Sequence, residues 1–113
     1  MNAARFERVL EEQVDRIVAI LGTKADEYAS DKDRLHNFKA AAALQGITPR
    51  EALRGFMTKH TISIYDMLGS GEDFPLEKWD EKITDNINYL ILLRALLTEQ
   101  DEEDEALGRN GTD

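Results

Sequence analysis

Apolar residues recur at intervals of three and four along almost the whole chain, and no stretch shows the alternation or β-branched density of a strand. That single regularity restricts the fold to helices. The first helical segment runs from about Ala3 to Ser30, with Phe6, Val9, Leu10, Val14, Ile17, Val18 and Leu21 as its apolar stripe and Gly22 as its weak point. Asp31-Lys32-Asp33-Arg34 breaks the pattern, and a short helix follows from about Leu35 to Gln45, stopped by Gly46. Thr48-Pro49-Arg50-Glu51 then spells a helix start: a capping hydroxyl, proline at the first helical position, and a glutamate that closes a capping box. The helix it opens carries Leu53, Phe56, Met57, Ile64, Met67 and Leu68 on one face and ends near Gly69. After a loop, Ser70 to Pro75, the last helix runs to about Glu99 or a little beyond. The expected fold is all-α, a bundle of four to five helices.

At 113 residues the chain is one domain, and chains this small often gain stability by oligomerising. The net charge of −9 is unevenly spread. From Glu99 onward there are seven acids and one base, leaving −3 for the first 98 residues. The reading is a helical domain over 1–98 and an acidic, solvated and frayed tail over 99–113. An acidic chain without a basic face argues against nucleic acid as a partner. The longest apolar run, Tyr89 to Leu93, is far too short to span a membrane, and the N-terminus has no signal-peptide core. Cysteine is absent, which agrees with a reducing, cytoplasmic setting and excludes disulfides and thiolate metal sites.

Polar residues on apolar faces are the functional signal. In the last helix, at about 100° per residue, Trp79, Ile83, Ile87, Leu90 and Leu97 define one side. Glu77, Glu81, Asp85 and Asn88 lie on the other, and their line continues into Leu92 and Leu96. A helix apolar on both sides is enclosed, so the acids are expected on the wall of something closed rather than on open surface. In the first helix Lys24, Tyr28 and Asp31 prolong the core stripe, with Glu27 at its edge. Such an end is either a core giving way to a polar pocket or a helix fraying into solvent. His60 falls on the apolar face of the third helix, as a satisfied core residue or as a ligand, with Lys59 on its shoulder. Asn37 is placed either to reach a ligand or to cap a helix.

Carboxylates four apart on a helix point the same way and sit about 6 Å apart along the axis. Two of them can share a Mg²⁺, or Mn²⁺ in its place, with further ligands from water and substrate phosphates. Lys24, Lys59 or His60 would then neutralise phosphate charge. No glycine-rich phosphate loop and no nucleophilic triad is present.

The run Glu77-Lys78-Trp79-Asp80-Glu81-Lys82-Ile83-Thr84-Asp85-Asn86-Ile87-Asn88-Tyr89 resembles the acidic helix of small MazG-like proteins, the all-α nucleoside triphosphate pyrophosphohydrolases, in their phage-type, nucleotide-modification-associated branch. Lys24, the pair Glu27-Tyr28 and the pair Lys59-His60 extend the likeness over roughly residues 5–98. It implies a helical bundle assembling as a homodimer or homotetramer, and Mg²⁺-dependent cleavage of a nucleoside triphosphate to the monophosphate and pyrophosphate. Glu77, Glu81 and Asp85 would bind metal or orient the attacking water, with Glu27 adding to the metal set. Asn88 would fix a carboxylate or contact the nucleotide. Lys24, Lys59 and His60 would meet phosphate, with Tyr28 and Asn37 on the substrate side. The chain departs from the family pattern in lacking the earlier E-x2-E pair and in spacing its last acids E-x3-D. The competing reading is a non-catalytic helical oligomer, phage-derived, that uses the same bundle for interaction alone.

Overall fold

The computed structural model describes residues 1–27 and 33–108, with the side chains of 23–27 left aside. Among the described residues there are four helices and no strand: α1 (Ala3–Glu27), α2 (His36–Gln45), α3 (Pro49–Gly69) and α4 (Leu76–Ala106).

Local chemistry sets most boundaries. The Asp33 carboxylate accepts from the Leu35 N–H at 2.9 Å and its carbonyl from the His36 N–H at 3.0 Å, a turn that leads into α2. The capping position is Leu35, without a side-chain bond, and Asn37 lies inside the first turn of the helix. Gly46 ends that helix in the left-handed region, φ 68°, where a side chain would be strained. The capping box forms as the sequence predicts. Thr48 Oγ1 accepts from the Glu51 N–H, and the Thr48 N–H donates to Glu51 Oε1, both at 3.2 Å.

The last helix does not stop near Glu99. It continues through the acidic segment to Ala106, because Glu99 to Ala106 contains neither glycine nor proline and its glutamates, leucine-flanked alanine and glutamine are good helix formers. Lys39 of α2 adds a tether, forming ion pairs with both Asp33 and Glu99. Residues 109–113 of the expected tail lie outside the described residues.

The core lies where α2, α3 and α4 meet. Leu35, Phe38, Leu53 and Leu96 are buried together, with Met57, Tyr89, Leu92 and Leu93 packed against them. Phe38 and Phe56 meet edge to face, ring centroids 5.4 Å apart. Among the described residues α1 packs directly on α4 alone. Two polar contacts fasten it: Gln13 Nε2 donates to Thr84 Oγ1 at 3.0 Å, and Arg16 pairs with Asp80 at 3.4 Å.

The stripe of α1 is therefore a helical stripe but not a core. Phe6, Leu10, Val14 and Val18 are 60%, 54%, 46% and 62% exposed, while Ile17 and Leu21 are half-buried against α4. On α4 the burial is the reverse of ordinary amphipathicity. Its most buried side chains are Thr84, Asn88 and Leu96, on the polar line, whereas Leu90 and Leu97 on the apolar side are exposed. The radius of gyration of 17.4 Å exceeds the roughly 13 Å of a compact chain this long. The accessible surface of 8526 Å² likewise exceeds the roughly 6,300 Å² typical of a monomer of this mass. No helix of the described residues is long and apolar enough to cross a membrane.

Candidate functional site

The groove between α1 and α3, floored by α4, holds a cavity of about 860 Å³, within the usual range of small-molecule sites. Every helix contributes. Ile20 and Leu21 of α1 form one apolar wall, and Phe56 with His60 of α3 the other. Asp33, Arg34, His36, Asn37 and Phe38 enter from the start of α2. Asp85, Asn88, Tyr89 and Leu92 form the floor.

The polar floor is built on a helical repeat. Asp85, Asn88 and Leu92 sit at successive turns of one α4 face, which the crossing of α1 and α3 turns toward the cavity. His60 Nδ1 faces Asp85 Oδ2 at 3.5 Å, and its ring lies against Tyr89 with centroids 5.0 Å apart and a tilt of 33°. His60 thus lines the cavity, with its side chain part-buried between Asp85 and Tyr89. Its backbone is held by Asn86, whose Nδ2 donates to the His60 carbonyl at 3.1 Å and to that of Lys82 at 2.7 Å. Burial, with the nearby negative charge of Asp85, pushes the Tyr89 hydroxyl above its ordinary pKa, so it stays a protonated donor at neutral pH.

Asn88 is 7% exposed, and its Oδ1 is buried with no hydrogen-bond partner. An unsatisfied buried acceptor costs about 1–3 kcal/mol, a cost that the folded chain carries here. The rim from α2 is fixed more firmly. Arg34 Nη2 donates to the Leu21 carbonyl at 3.2 Å, joining the segment to α1. The Asp33 carboxyl is held below its usual range by the Lys39 ammonium and then by the Leu35 N–H, and is thus already engaged.

Of the sequence-predicted residues, the structure brings Asn37, His60, Asp85 and Asn88 to the cavity. Glu77 and Glu81 continue the line of Asp85 toward the start of α4, but both are exposed and outside the lining. The expectation of an enclosed wall fails for these two: although Arg16 of α1 reaches Asp80, the sides of α4 that carry Glu77 and Glu81 stay exposed, and burial of the polar line begins at Thr84. Lys59 is exposed and also outside the lining, pointing off the shoulder of α3. Tyr28 and the side chains of Lys24 and Glu27 lie outside the described residues. Sequence reading missed Asp33, Arg34, His36, Phe38 and Phe56 as lining residues and Asn86 as the support of His60. The first two belong to the segment that breaks the hydrophobic pattern, and the structure places them at and before the turn that leads into α2.

Among the described residues no three His, Asp or Glu side chains converge closely enough to hold a metal ion. They supply Asp85 at the wall, with Glu81 one turn before it and open to water. A divalent ion here would rest on one or two carboxylates and on water, not in a cage made by the protein alone. Compared with family profiles, characterised proteins and solved structures, the chain matches none.

Proposed function

We propose that this cavity binds a nucleoside triphosphate and that the protein is a Mg²⁺-dependent pyrophosphohydrolase of the MazG-like kind, acting in the cytoplasm. One observation carries the reading. Asn37, His60, Asp85 and Asn88, singled out from the sequence as nucleotide or metal contacts, converge from three helices on one cavity of nucleotide size. Asp85, with Glu81 and Glu77 leading outward, would hold the metal, which when bound would neutralise phosphate charge. His60 and Arg34 supply cationic or donor groups beside it, and the aromatic walls suit a planar base. A screen of ribo- and deoxynucleoside triphosphates with Mg²⁺ or Mn²⁺ is expected to release pyrophosphate and monophosphate from at least one. Asp85→Asn is expected to cut that turnover about a hundredfold or more. No turnover and no binding across the screen would sink the proposal.

Self-association is a second reading, and it is favoured by the open stripe of α1. Phe6, Leu10, Val14 and Val18 form a contiguous exposed apolar face, the kind of surface a monomer rarely leaves uncovered. A homodimer or homotetramer would bury it. If interaction were the whole function, Glu81→Gln and Asp85→Asn would leave it intact. Sedimentation of the wild type against Val14→Glu tests the association itself, with a shift to monomer expected for the variant, and turnover by the carboxylate variants separates the two readings.

A further inference from the structure

We propose that Asn86, which lies outside the cavity lining, is a positioning residue that fixes the register of α3 on α4 so that His60 faces Asp85. What the facing pair does with a ligand rests on the nucleotide reading above; the positioning itself does not. The inference starts from the Asn86 carboxamide. Its Nδ2 donates to the His60 carbonyl of α3 at 3.1 Å and to the Lys82 carbonyl of its own helix at 2.7 Å. Thr61 Oγ1 donates to Asn86 Oδ1 at 3.4 Å. An amide nitrogen carries two hydrogens, and these two acceptors stand on different helices. Turned over, the group would set its oxygen against both carbonyls, so only one orientation is bonded.

The grip falls on the residues that the site uses. Asn86 directly follows Asp85, and on α3 it holds the backbone of His60 and the hydroxyl of Thr61. The His60 side chain leaves from that same point, with Nδ1 3.5 Å from Asp85 Oδ2 and the ring centroid 5.0 Å from that of Tyr89. Leu53, Met57, Leu93 and Leu96 pack in the core shared by these helices. Apolar attraction is non-directional, so it tolerates small axial shifts that hydrogen bonds, with their narrow range of lengths, do not. A slip of one residue along a helix is about 1.5 Å with a turn of about 100°, enough to take the imidazole off the carboxylate. Asparagine is also a poor helix former, so its place inside α4 is not explained by helix propensity.

The chain has two histidines, His36 and His60, so NMR of the imidazole carbon–proton pairs in the full protein tests the proposal, with His36→Gln assigning the signals. In the wild type the His60 ring protons are expected to show nuclear Overhauser contacts to the Tyr89 ring. In Asn86→Leu those contacts are expected to be lost while the methyl signals of Leu53 and Leu96 stay in place, and Asn86→Ala serves if the leucine variant does not fold. Unchanged His60–Tyr89 contacts in a folded Asn86 variant, or loss of them only together with the core signals, would overturn the positioning role whether or not nucleotide is turned over. Lost contacts with an intact core, in a chain that binds no nucleotide, would uphold it and sink the nucleotide reading alone. Where nucleotide is turned over, Asn86→Leu is expected to lower kcat about tenfold or more with little change in KM. An unchanged kcat beside lost contacts would overturn the part of the pair in the reaction.

Discussion

At the scale of single residues, function and stability pull against each other at Asn88. Its unpartnered Oδ1 is a cost borne by the ligand-free protein. Asn88→Leu is expected to raise the free energy of unfolding by about 1 kcal/mol, measured by urea denaturation, because it removes the unpaired acceptor. Asp33 and Lys39 make a different kind of pair, one that titrates. The Asp33 carboxyl is depressed, chiefly by the Lys39 ammonium, and the Lys39 amine is raised, chiefly by Asp33 and then by Glu99. Asp33's contribution is therefore present above its ordinary value of 3.8 and lost as pH falls through its lower folded value. The Lys39 contribution is present below 10.5 and lost as pH rises past its higher folded value. Both side chains are more than a third exposed, so water screens them and the pair adds less than about 1 kcal/mol. Lys39→Met is expected to flatten the fall in melting temperature below pH 4 without steepening any loss near neutrality.

At the scale of elements, the start of α3 was the most legible feature of the chain. The Thr48–Glu51 box is a local exchange of hydrogen bonds, and its residues appear in the sequence in the order in which they act. Thr48→Ala is expected to cost about 1 kcal/mol in chemical denaturation. The long helices were legible as helices for the same reason, since periodicity is a property of neighbours. Depth is not. The line Glu77, Glu81, Asp85, Asn88 is one face of α4, but where that face becomes a wall depends on where α1 and α3 cross it. Periodicity therefore placed Asp85 and Asn88 correctly and put Glu77 and Glu81 in an enclosure that begins a turn later. The same limit made the α1 stripe read as core. Asp33 and Arg34 escaped notice because a break in hydrophobic pattern carries no sign of what the broken segment will face.

At the scale of the whole molecule, stability is concentrated in a small region. Leu96 is 1% exposed and Leu53 2%, and few large side chains share their depth. Leu96→Ala is expected to cost about 2–5 kcal/mol, a large part of the roughly 5–15 kcal/mol that holds a domain folded, and thermal unfolding would read it directly. The corresponding truncation at Val14, on the open face, is expected to leave the monomer's stability almost unchanged. The lean attachment of α1 has a kinetic corollary. A helix fastened through one neighbour and a few polar contacts can come away as a unit while α2, α3 and α4 stay together, so its backbone amides are expected to trade hydrogen for deuterium well before those of the core. Because Ile20 and Leu21 travel with it, each such excursion removes one wall of the cavity. A seated nucleotide would hold that wall in place, and slowed deuterium uptake confined to α1 would report occupancy from the opposite side of the molecule to α3.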